Sequence, residues 1–294
     1  RLFERAGLRP PPSGVKEARA TLQSHGLLDR SEAENAASEE SASKPRRLRW
    51  PRRTEQAEQP AVDAKALGFE LSDGRPILSS IDLTLAPGQR TALMGRNGAG
   101  KSTLLRLMAG LEEPTEGKVE AAGRVALLLQ NPGDYLIHER VDQEVAADRL
   151  AEFGLEDLAA SHPRDISGGE RQRLALAIVL GGSRPAAVLL DEPTRGMDRA
   201  AKGDLITRLS ALSAAGTAVL VATHDAELAA AFAQRVVLLS GGRVVADAPT
   251  AEVLSGGWHF ATETARVLGG AGAACTPEQG GDLLRARMTI EAAP

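Results

Sequence analysis

A single cysteine, Cys275, stands in 294 residues. That excludes an internal disulfide framework and agrees with a reducing compartment. No apolar run approaches the roughly 18 residues that suggest a membrane span. The longest, such as Ala218–Ala222 and Val236–Leu239, have the length of buried strands. Neither sign of charge dominates: 35 Lys and Arg against 39 Asp and Glu leave a net charge of −4. The molecule as a whole is therefore no polyanion binder. The opening stretch through Pro12 lacks the charged, apolar and cleavage regions of a secretory leader. The first residue is Arg1 rather than methionine, so a piece of a longer or processed polypeptide is expected.

Composition changes along the chain. Residues 1–30 carry a helical pattern anchored by Leu22, Leu27 and Leu28, after a break at Pro10-Pro11-Pro12. Residues 31–60 are polar and almost free of large apolar side chains, too little to offset ordering entropy, and read as a disordered linker. Its basic cluster (Lys44, Arg46, Arg47, Arg49, Arg52, Arg53) surrounds Trp50. Solvated linker charge is the commoner reason for such a run; a nucleic-acid or anionic-lipid patch is the alternative.

From Val62 strands and helices alternate. Strands are expected at Lys65–Leu71, Ile81–Leu85, Thr91–Met94, Gly123–Leu129, Ala187–Leu190, Ala218–Ala222 and Arg235–Leu239. Helices are expected at Lys101–Leu111, Arg199–Ala214 and Asp225–Ala233, with a largely helical region running to about Leu180. Short apolar runs bounded by turn signals suit strands buried on both faces, so the fold class is α/β with a mostly parallel sheet. Gly241-Gly242-Arg243 suggests a closing hairpin.

The chemistry concentrates where strands end. Gly95, Arg96, Asn97, Gly98, Ala99, Gly100, Lys101, Ser102 and Thr103 fit G-x-x-x-x-G-K-[ST] after an apolar strand and before a helix. Glycines let successive N–H groups turn inward around a phosphate, and the helix start adds its positive dipole end. Lys101 supplies a point charge and Ser102 a hydroxyl for Mg²⁺; a chance glycine-rich turn is the bland alternative. Asp191 and Glu192 end a buried strand, where ligands of open parallel sheets bind. Asp191 suits a magnesium ion held through water and Glu192 suits a general base, although a strand-end acid pair can also cap a helix. His224 follows the next strand and is either a structural histidine or a γ-phosphate contact. Gln130 ends another strand and could sense metal or attacking water. Ser167, Gly168, Gly169 and Glu170 open an apolar helix, as a second anion site or as an ordinary capping box. One nucleotide cannot use two separate phosphate sites, which favours a site serving a nucleotide held by another domain.

These segments, in this order, resemble the Walker A, Q-loop, signature, Walker B and H-loop of an ATP-binding cassette (ABC) ATPase, with Asp198 at the D-loop position. The resemblance covers roughly residues 62–255. It implies a P-loop NTPase (RecA-like) core, an antiparallel β part and an α-helical subdomain at about 131–175, within a domain at 61–255 that a C-terminal extension (256–294) follows. It also implies ATP and Mg²⁺ as cofactors, with Ser102, Gln130 and Asp191 as metal ligands and Glu192, His224 and Gln130 as catalytic residues. Two cassettes would close head-to-tail, with Ser167–Glu170 completing the partner's site. The chain departs from the family at Leu71, where an aromatic usually stacks on adenine; Phe69 lies two residues earlier.

The stretch from Gln130 to Val145, and the tail from His259 through Arg266 to Thr276-Pro277-Glu278, resemble the energy-coupling-factor (ECF) group, which drives vitamin and metal-ion uptake. The first 30 residues are similar to the end of another such cassette, which implies a tandem protein. Transmembrane subunits would then be partners, with Tyr135 and Leu136 either as contacts or as core of the helical subdomain, and the chain would sit on the cytoplasmic face of the membrane. A soluble tandem ATPase acting on RNA, an ABC exporter ATPase and a nucleotide-binding structural clamp are the competing readings; the short linker speaks against the first, and intact Glu192 and His224 against the last.

Overall fold

The computed structural model describes residues 1–9, 12–28, 59–255 and 260–291. Most of the expected linker, the cluster around Trp50, and His259 lie outside the described residues. In chain order the elements are α1 (Leu2–Ala6), α2 (Val15–Ser24), β1 (Val62–Glu70), β2 (Pro76–Leu85), β3 (Arg90–Met94), α3 (Lys101–Met108), β4 (Glu116–Ala121) and β5 (Val125–Leu128). Then follow α4 (Val141–Glu144), α5 (Ala147–Glu152), α6 (Gly168–Val179), β6 (Ala187–Asp191), α7 (Arg199–Ala214) and β7 (Ala218–Thr223). The chain continues with α8 (Ala226–Phe232), β8 (Arg235–Ser240), β9 (Arg243–Pro249), α9 (Thr250–Leu254), α10 (Glu263–Leu268) and α11 (Pro277–Glu291).

The described residues fall into two compact units. The larger one contains those of 52–224 and 237–245. Its main sheet has the order β5-β6-β7-β3-β8-β9, with β5, β6, β7 and β3 parallel. Every residue of β6 and β7 is buried, which is why both read as unbroken apolar runs. A second, antiparallel sheet has the order β2-β1-β4. One apolar core joins the two: α3 contributes Leu104, Leu105, Leu107 and Met108, packed among Leu93, Leu189 and Leu220 and among Leu67, Ile81 and Leu83.

Several boundaries differ from expectation. The first strand runs Val62–Glu70 rather than Lys65–Leu71, and the second begins at Pro76, five residues early. Irregular register along β1, with Ala66 at φ 49, breaks the alternation that marks a strand. Strand β4 was unexpected; its sequence EGKVEA is almost wholly exposed, and pairing with β1 rather than burial makes it a strand. Helix α3 stops at Met108 rather than Leu111, because Gly110 takes φ 71 and turns the chain out of the helix. The hairpin across Gly241-Gly242 forms between β8 and β9.

The smaller unit contains the described residues of 1–51, 225–236 and 246–294. It is mainly helical. Leu2, Phe3, Ala6, Ala18, Leu22, Leu27 and Leu28 share an apolar cluster with Val267, Leu268, Ala274 and Leu284. Arg235, itself buried, is held by a two-pronged ion pair with Asp247, Nε to Oδ1 at 2.6 Å and a second donor to Oδ2 at 2.7 Å. Such pairing is what a buried guanidinium requires.

Candidate nucleotide-binding site

The register of the parallel strands decides where the polar residues meet. Met94 of β3 lies beside Thr223 of β7, and Asp191 of β6 lies beside Ala222. The glycine-rich loop, Glu192 and His224 therefore leave three adjacent strands at the same edge of the sheet. Strand β5 pairs with β6 through Leu128 and Leu190, so Gln130 emerges next along that edge. Gln130 itself is exposed.

The loop is shaped by its own surroundings. A Cβ on Gly95 would lie 2.4 Å from the Leu239 carbonyl oxygen, so β8 approaches too closely for any other residue. Gly100 caps α3 with φ 101, and a Cβ there would lie 2.7 Å from Leu78 Cδ2. Lys101 is buried; its ammonium donates to the carbonyl oxygens of Gly95 at 2.8 Å and Arg96 at 3.4 Å.

Asp191 is 3 % exposed. Burial pushes its carboxyl above the usual carboxylate range, a hydrogen bond with Ser102 draws it partly back, and Glu192 adds to the rise. A buried carboxylate beside a hydroxyl is a hard-oxygen pair of the kind magnesium takes, with remaining positions left to water and phosphate. These residues fit that ion. Among the described residues no cluster of three or more His, Cys, Asp or Glu side chains forms an all-protein metal cage.

Glu192 sits at φ 48, a strained conformation for a residue with a Cβ, and its N–H donates to the Ala222 carbonyl at 2.9 Å. Its Oε1 is 2.8 Å from His224 Nδ1, and Thr223 Oγ1 reaches Oε2 at 3.5 Å. The backbone turn thus aims the carboxylate along the sheet edge and the imidazole holds it there. His224 is itself largely exposed, so it pairs with the acid rather than filling a core position.

Ser167, Gly168, Gly169 and Glu170 form the start of α6. The capping box is complete: Glu170 N–H donates to Ser167 Oγ at 3.3 Å, and Ser167 N–H donates to Glu170 Oε2 at 2.7 Å. The Ser167 side chain also hydrogen-bonds the Glu170 carboxylate, and these bonds hold that carboxyl below the usual glutamate range. A Cβ on Gly168 or Gly169 would meet nothing within 4 Å. Asp198 caps α7, accepting from Ala201 N–H at 2.9 Å, and is exposed.

Sequence reasoning placed Tyr135 and Leu136 on a contact surface or in the core of the helical subdomain. Tyr135 is half-buried and tied to the exit of β5: its hydroxyl donates to Leu127 O and accepts from Leu129 N–H, both at 2.9 Å. Leu136 lines a hollow of about 650 Å³ with Ile137, His138, His162, Pro163 and Arg171. Ile137, which was missed, is 82 % exposed. The short apolar run Tyr135-Leu136-Ile137 carries no periodic signal that would tell which of its side chains faces outward.

The family model described as ABC transporter matches residues 78–195. A Streptomyces avermitilis protein named as an ABC transporter ATP-binding protein is 48 % identical over 217 residues, 65 % of this chain. The chain spans only 38 % of that relative's own length. The nickel import ATP-binding protein of Rhodobacter capsulatus is 37 % identical, over 67 % of this chain and 92 % of its own. Among solved structures, cbiO1 from Clostridium perfringens, described as part of the ABC transporter complex cbiONQ, aligns with TM-score 0.60 and 25 % identity. That alignment covers 67 % of this chain and 91 % of the other.

Proposed function

The chain belongs to the ABC transporter ATP-binding family, and from that premise we propose that it is the ATP-hydrolysing subunit of an importer of the energy-coupling-factor type. The observation that carries the reading is the shared sheet edge from which the phosphate loop, Asp191–Glu192 and His224 all emerge. The triphosphate of ATP lies in the loop, gripped by inward N–H groups and by Lys101, which leaves the Gly95 and Arg96 carbonyls for the β- and γ-phosphates. Asp191 and Ser102, with Gln130, would hold Mg²⁺, which when bound neutralises charge on the phosphates. Glu192 orients the attacking water and accepts its proton, with His224 fixing the carboxylate.

A second cassette completes each site. Ser167 and the open glycine start of α6 face a nucleotide held by that partner. The tandem reading supplies the partner within one longer polypeptide, in keeping with a relative of which this chain spans 38 %. Closure is driven only as far as MgATP binds the closed pair more tightly than the open one. Membrane subunits take up the motion through the hollow after Gln130, where Ile137 stands exposed. No helix among the described residues is long and apolar enough to cross a membrane. The cargo, by likeness to the nickel import protein, is a transition-metal ion; a vitamin is the alternative.

Replacing Glu192→Gln tests the reading. ATP binding should persist while turnover falls by at least about 100-fold, the usual worth of a positioned general base. Turnover left unchanged would remove Glu192 from its role and the site from its strand edge.

A further inference from the structure

The first and last segments of the chain are built to one plan. Gly7 ends α1 and Gly269 ends α10, both left-handed at φ 74 and φ 64. Residues 7–14 then lead to α2 at Val15, and residues 269–276 lead to α11 at Pro277, so the two halves keep a constant offset of 262 residues. At that offset the hydrogen bonds repeat. Leu8 N–H donates to Phe3 O at 2.8 Å, and Gly270 N–H to Ala265 O at 3.0 Å. Ala18 N–H bonds Gly14 O and Gly280 N–H bonds Thr276 O, each at 2.9 Å. A side-chain cap repeats as well: Ser13 N–H donates to Glu17 Oε2, and Cys275 N–H to Gln279 Oε1, each at 2.9 Å. Burial follows the same pattern, with Ala18 and Leu22 in one half matching Gly280 and Leu284 in the other.

The halves also pack reciprocally: short α1 lies on long α11, and short α10 lies on α2. Gly280 and Gly281 bring α11 close enough that added Cβ atoms would lie 2.6 Å from Leu2 Cδ1 and 2.8 Å from Arg5 Cβ. Arg5 is paired with Glu278 at 2.6 Å. An exchange in which each half gives its short helix to the other's long one is the arrangement of a two-fold interface between like parts.

We propose that residues 2–27 and 264–289 are two copies of one helix-pair motif that clasp each other, and that the first copy belongs to a preceding nucleotide-binding unit. The clasp contains none of the phosphate-loop, Asp191–Glu192 or Ser167–Glu170 residues, all of which lie in the other compact unit. It therefore joins two cassettes whether or not ATP is bound, keeping them paired while their nucleotide faces part. The identity of the first copy rests on the tandem reading; the clasp itself rests on the repeat.

The experiment uses the full chain with a protease site inserted between residues 35 and 45. After cleavage, size exclusion and native mass spectrometry should show the N-terminal fragment retained. Leu22→Ala should release it, and before cleavage should speed hydrogen exchange at least about 30-fold in α10, across the clasp, as well as in α2. Gly281→Ala, a gentler intrusion, should speed exchange in α1. Release of the fragment from the unaltered protein, or exchange raised only in the helix carrying the substitution, would overturn the clasp. Either result would leave ATP binding intact; loss of ATP binding in unaltered protein would instead strike the importer reading.

Discussion

Two helices of the larger unit begin at glycines, α3 at the phosphate loop and α6 at Ser167, and they are built on opposite terms. At α3 the glycines are demanded from within, since Leu239 and Leu78 leave no room for a Cβ at Gly95 or Gly100. The lysine there is buried and bonded to its own loop. At α6 a Cβ on either glycine would touch nothing in the chain, and only Ser167 and Glu170 hold the start together. A glycine required by packing says little about function, because folding alone accounts for it. A glycine that packing leaves free, at a helix start with its dipole end exposed, would on the importer reading be kept open for a phosphate that arrives from outside.

The largest effect should come from closing the space at α3. Gly95→Ala pushes a methyl into the backbone of β8, which cannot swing aside as a flexible side chain can. Denaturant unfolding should show a loss of about 2 kcal/mol or more, and nucleotide affinity should fall with it. A loss below about 0.5 kcal/mol would mean that the loop is not shaped by β8, and the contrast with α6 would vanish.

How much of this was legible beforehand depended on whether local sequence or distant packing made the decision. The glycine-rich turn into α3, β6 and β7 were readable because an apolar run followed by a polar terminus is local. The edge where Glu192 and His224 meet was readable only in outline, since their 2.8 Å contact depends on strand register and on the turned backbone of Glu192. Strand β4 was invisible because its partner, not its own pattern, makes it a strand. The helix-pair repeat was legible only in part: residues 1–30 read as the end of a cassette, but their match to this chain's own tail did not show, for a related reason. Matched positions such as Phe3 and Ala265 share burial and hydrogen bonding, and Ala6 and Leu268 share burial, but neither pair shares residue type. Geometry was retained there while side-chain identity drifted, and sequence comparison sees only the latter.

A middling effect belongs to the cap of α6. Ser167→Ala removes an acceptor for Glu170 N–H and half of the reciprocal box. The cost should be about 1 kcal/mol in unfolding free energy. Glu170 is held below the usual glutamate range by its hydrogen bonds with Ser167, so in the variant its pKa, followed by NMR titration, should move up toward the ordinary value. An unmoved Glu170 would show that the box contributes nothing in solution.

The smallest change in stability should carry the sharpest lesson. Gly168→Ala together with Gly169→Ala places two methyl groups where the chain offers no contact, in a helix whose backbone alanine favours. Unfolding free energy should stay within about 0.5 kcal/mol of the unaltered protein or rise slightly. Binding of MgATP to this chain's own loop should also be unchanged, since that loop lies at α3. Turnover in the assembled cassette pair, by contrast, should fall at least about tenfold, because a phosphate approaching the start of α6 meets methyl groups in place of open N–H donors. Should turnover survive, the open start of α6 would be a cap and nothing more, and the partner's nucleotide would need another anchor. Should this chain's own ATP binding weaken instead, the two helix starts would be serving one nucleotide, and the head-to-tail arrangement would have to be abandoned.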